Sequence, residues 1–109
     1  MDFPDFRGWL QDWLGIRDLH EQVLQLDDRM GQIEALVASM LQHYGKYSTR
    51  TEQELTLMRS QLDTMLETVS NVVQAAENNA DKQRAASLRA RLRNNQTRIN
   101  RALSNSTAA

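Results

Sequence analysis

The sequence predicts an all-α fold of long amphipathic helices that form a coiled coil or a helical hairpin or bundle and associate with further helices into an oligomer. Three observations carry that expectation. One proline and four glycines in 109 residues are too few for a structure of tight turns, while Leu, Gln, Ala, Arg, Glu and Met abound, residues that favour helices over strands. Apolar residues recur at spacings of three and four along most of the chain. Charged side chains make up 25% and apolar ones 40%, a balance outside both the disordered and the membrane-spanning classes.

Residues 1–15 read as an aromatic amphipathic segment, since both phenylalanines and both tryptophans lie there. With Asp5 as cap of a helix starting after Pro4, the side chains of Phe6, Trp9, Leu10, Trp13 and Leu14 share one face. Gly8, Asp12 and Gly15 lie opposite. Together with Phe3 the apolar set is the candidate for docking another protein. Closing the end of the chain's own core fits the pattern equally well. Membrane-surface binding fits less well, because Asp2, Asp5, Asp12 and Asp18 outnumber Arg7 and Arg17 where such helices carry a basic face.

Residues 16–47 carry a heptad. Ile16, Val23, Met30, Val37 and Tyr44 take one core position, and Leu19, Leu26, Ile33, Met40 and Tyr47 follow three residues after each. Ten apolar or tyrosine positions in succession exceed what a coiled-coil assignment needs, with an amphipathic helix of a globular bundle as the alternative. Were Trp9 to Tyr44 one helix, it would be about 54 Å long. Arg29 and Glu34 sit at the offset of an interhelical ion pair between parallel strands.

Gly45 interrupts the pattern, and Thr49 with Glu52 or Thr51 with Glu54 fits a capping box at a new helix start. Residues 48–79 then form a second coiled-coil helix with Leu55, Met58, Leu62, Met65, Val69, Val72 and Ala76 on its stripe. Its four-residue offset suits either a hairpin or a stutter in a continuous rod. Leu36, Leu41, Leu66 and Val73 widen the apolar face beyond a two-helix seam, so each helix should touch more than one neighbour. The methionines in these stripes read as core filling before adaptable binding surface.

Asn78, Asn79 and Asp81 mark a break, after which residues 80–109 form a basic helix with a thinner stripe of Leu88, Leu92, Ile99 and Leu103. Fraying is expected from Ser104 onward. Net charge is −1 overall, yet residues 1–79 hold six basic against thirteen acidic side chains and residues 80–109 hold seven against one. Arg84, Arg89, Arg91, Arg93, Arg98 and Arg101 are the candidate basic contact set, with Asn94, Asn95, Gln96 and Thr97 as added hydrogen-bonding groups. A solvated face or an acidic-protein contact is the first reading. Nucleic acid is the second, because the tail lacks aromatic residues to stack on bases.

No chemistry can be assembled from the rest. There is no cysteine, and His20 and His43 are too far apart for a helix-face metal pair. Asp27 with Asp28 and Glu52 with Glu54 read as a solvated face and a helix start. No catalytic, metal or cofactor site is therefore expected. Neither a membrane span nor a signal peptide is legible, so a cytoplasmic or virion-associated location is expected. The reading is a non-catalytic structural or assembly protein acting through helix–helix association, of the kind found in a phage virion or another large assembly. Alternatives are a nucleic-acid-associated protein using the basic helix and a small helical adaptor or inhibitor of a protein target.

Overall fold

The computed structural model describes residues 6–44 and 48–108. Four helices follow in order: α1 (Phe6–Leu14), α2 (Leu19–His43), α3 (Ser48–Ala75) and α4 (Asn79–Ala108). No strand occurs among the described residues. Phe3, Gly45 and Tyr47 lie outside them.

Local chemistry sets each break. Past Leu14 the amide of Gly15 still reaches the carbonyls of Gln11 and Asp12, both at 3.2 Å. The chain then turns extended at Asp18 (φ −76°, ψ 113°), whose carboxylate accepts the Glu21 amide at 3.1 Å as the cap of α2. The single helix from Trp9 to Tyr44 is thus not formed. Between α3 and α4, Asn78 does the capping: its side-chain oxygen accepts the Ala80 amide at 2.7 Å and its carbonyl accepts the Lys82 amide at 3.0 Å. At the far end α4 continues to Ala108, past the point where fraying is expected.

Cross-helix pairs give the directions. Rising numbers on α2 meet rising numbers on α4, with His20 beside Asp81 and Glu34 beside Arg91, so these two helices are parallel. On α3 and α4 the order reverses, with Arg59 beside Asn100 and Asp63 beside Gln96. The chain therefore goes up, down and up as a three-helix bundle, and α2, α3 and α4 each pack on the other two. Its extents of 47 × 26 × 18 Å match one 30-residue helix in length, about 45 Å. A continuous rod is ruled out.

Heptad and stripe residues meet inside this bundle. Val23, Leu26, Met30, Ile33 and Val37 of α2 are buried, as are Leu55, Met58, Leu62, Met65, Val69 and Val72 of α3. Ile16, Leu19 and Met40 are partly buried against the same core. From α4 come Ala85, Leu88, Leu92 and Ile99. The four face-widening residues, Leu36, Leu41, Leu66 and Val73, also pack on the core from its margins. Two neighbours per helix account for the wide apolar face within one chain.

Candidate interaction surfaces

The aromatic segment folds back on its own chain. Helix α1 runs antiparallel to α2, with Trp13 near the start of α2 and Phe6 near Leu36 and Met40. Trp13 is 1% exposed. Its indole Nε1–H donates to the Gln22 carbonyl at 2.8 Å, and the Gln22 amide Nε2 donates back to the Trp13 carbonyl at 3.0 Å. Both groups are buried, so the reciprocal pair satisfies what would otherwise be costly orphans and pins α1 to α2. Trp9 lies between Phe6 and Trp13, its ring centroid 6.1 Å from the first and 5.8 Å from the second.

Of the two equal readings of the aromatic set, docking a partner and closing the end of the chain's own core, the second describes its buried members. Phe6, Leu10 and Trp13 belong to the chain's own core, and Trp9 is half-buried. Among the described members of the set only Leu14, the last residue of α1, is exposed. What remains is a groove of about 420 Å³ beside Phe6. Leu36 and Met40 of α2 and Leu57 and Met58 of α3 line it, with Arg7, Glu54 and Gln61 at the rim. Leu57 is 46% exposed, the most open large apolar side chain among the described residues.

A second surface is the outer side of α4. Arg91 is committed: its guanidinium forks onto both oxygens of Glu34, with Nε at 3.1 Å from Oε2. The hydrogen bond from this carboxylate holds the Arg91 guanidinium above its ordinary pKa against the opposing effect of burial, and the charges of Glu34 and Asp27 add to the rise. Glu34 thus pairs with α4, and Arg29 hydrogen-bonds Gln32 at 2.9 Å. Arg93, Arg98 and Arg101 are exposed, and Arg84 and Arg89 are half-buried.

Sequence comparison adds no relative. The chain matches no family model, no curated protein and no solved structure.

Two polar groups were not legible as structural. Asp81 is 5% exposed and accepts a hydrogen bond from Nδ1–H of His20 at 2.8 Å, tying the first turns of α2 and α4 together. Its spacing of four and seven residues before Ala85 and Leu88 was the available signal, masked by the preference of aspartate for helix ends. Asn95, read as part of a polar surface, is 1% exposed in the core face of α4. His43 bonds the Ser39 carbonyl at 2.8 Å, one turn back on its own helix. Among the described residues no three metal-ligating side chains converge, and no helix is long and apolar enough to cross a membrane.

Proposed function

We propose that the chain is a non-catalytic assembly protein, a preformed helical bundle that joins copies of itself through the apolar groove between α2 and α3 beside Phe6. The observation that carries this reading is a groove floored by the buried Phe6 and Met58 and walled by the half-buried Leu36 and Met40 and by Leu57, which is 46% exposed. Isolated apolar residues on a surface need no explanation, but a continuous apolar depression rimmed by polar groups is the usual form of a helix-docking site. Among the described residues the heptad positions pack within the chain, Met40 alone of them also lining the groove, so association through this groove is surface to surface and leaves the core intact. Such a module serves as a building part of a larger helical assembly.

Light scattering over a concentration series tests the reading. A mass that rises with concentration above the 12.5 kDa of one chain, and that returns to one chain in the Leu57→Glu variant with helicity unchanged, supports it. A wild-type protein that stays at the single-chain mass up to millimolar concentration overturns it.

A further inference from the structure

We infer that the outward face of α4 binds the phosphate backbone of a nucleic-acid duplex. The contacts of α4 fix where its cations stand. Arg91 reaches Glu34 and so marks the edge toward α2; Arg84 and Arg98, seven residues to either side, lie on that same edge. Gln96 and Asn100 reach Asp63 and Arg59 and so mark the edge toward α3; Arg89 and Arg93, each seven residues earlier, lie there. Between the two edges, opposite the buried Leu88, Leu92 and Ile99, comes a centre line of Ser87, Ala90, Asn94, Thr97 and Arg101.

This makes a convex strip with guanidinium rows on both sides and amide and hydroxyl groups between them. Arg84 and Arg98 are about 21 Å apart along the axis, and a helix with its side chains is about 10–12 Å across, close to the width of the B-DNA major groove. Few carboxylates oppose the strip. Asp81 is the only acid of α4, buried and held by His20, and Glu34 is paired with Arg91, while Asp63, hydrogen-bonded by the neutral Gln96 amide, and Asp27, near enough to act on Arg91, keep their charge at the margins.

Two absences of side-chain type choose the partner. The exposed large apolar residues among those described are Leu14, Leu24 and Leu57, none of them on α4, so the face has arginines but lacks the apolar and aromatic anchors that protein interfaces set beside them. Arginine, asparagine, threonine and serine are instead the side chains that bind phosphate and sugar oxygens. The helix also lacks any aromatic residue, and single-strand binding leans on aromatic stacking. A duplex gripped by its backbone, without base readout, fits both facts. This site is separate from the groove beside Phe6 and does not depend on self-assembly.

Fluorescence anisotropy with a labelled 20-base-pair duplex and the intact chain tests the inference. The expected result is binding that is indifferent to base sequence and weakens with salt, with a log–log slope of about −4.5 if all five uncommitted arginines contact phosphates. The double variant Arg93→Glu, Arg98→Glu should bind at least about tenfold more weakly. Both side chains are exposed, so its melting temperature should match wild type. Absence of binding at low salt, equal binding by the double variant, or a preference for single strands overturns the inference. Polyglutamate that competes as well as unlabelled duplex also overturns it, and would make the face an acidic-protein contact.

Discussion

Asn95 sits in a core row between Leu92 and Ile99 with half its carboxamide satisfied. Its Nδ2 donates to the Arg91 carbonyl at 2.8 Å, while Oδ1 is buried without a hydrogen-bond partner. A buried carbonyl without a partner costs about 1–3 kcal/mol, so Asn95→Leu should raise stability by about 1 kcal/mol in urea denaturation. A lower midpoint would show that the amide is needed. Trp13 is the opposite case, fully satisfied and packed around a small space shared with Leu26, Val72 and Leu88. Trp13→Ala should cost about 3–5 kcal/mol, a large share of the stability of a domain this size. The Glu34–Arg91 fork is too open to solvent to matter as much. Glu34→Gln should cost no more than about 1 kcal/mol, an effect that disappears in high salt. Because the folded pKa of Arg91 is raised, its contribution is complete below the unfolded value and is lost only as pH rises through the folded one. Arg91 should therefore give no stability step between about pH 5 and pH 10.

Each helix shows which sequence signals are sufficient. The core rows of α2 and α3 follow directly from heptad spacing, since burial obeys helical period wherever one face is covered. The break after Leu14 is harder, because Ile16 and Leu19 continue the heptad phase through it. The cap at Asp18 with Glu21 three residues later was nevertheless present in the sequence. Hairpin and rod were indistinguishable locally, because a four-residue offset fits both. The choice belongs to long-range packing, in which α4 supplies the third wall that a rod would lack. The exposed arginines of α4 were legible as a set, but their two edges depend on which neighbour each side faces. The groove beside Phe6 depends in the same way on where α1 docks. Gly31 offers a test at this scale: it is exposed in mid-helix, and an added Cβ would meet nothing within 4 Å. Gly31→Ala should stabilise the fold by about 1 kcal/mol, read from the thermal midpoint.

For the whole molecule, short connections and sequential antiparallel neighbours keep most contacts local, which favours rapid folding, in microseconds to milliseconds. A radius of gyration of 14.6 Å should be recovered by X-ray scattering extrapolated to infinite dilution. A much larger limiting value would mean that the helices open into an extended form. The parallel course of α2 and α4 places Phe6, beside Met40, and the end of α4 at the same pole of the bundle. The opposite pole holds the two short connections at Gly15–Asp18 and Ala76–Asn78. Tension applied through the two ends would therefore peel α1 and α4 away turn by turn, loading few bonds at once, instead of shearing whole helices past one another. Under mechanical load the bundle should yield at low force, behaving as a releasable clasp and not as a rigid strut.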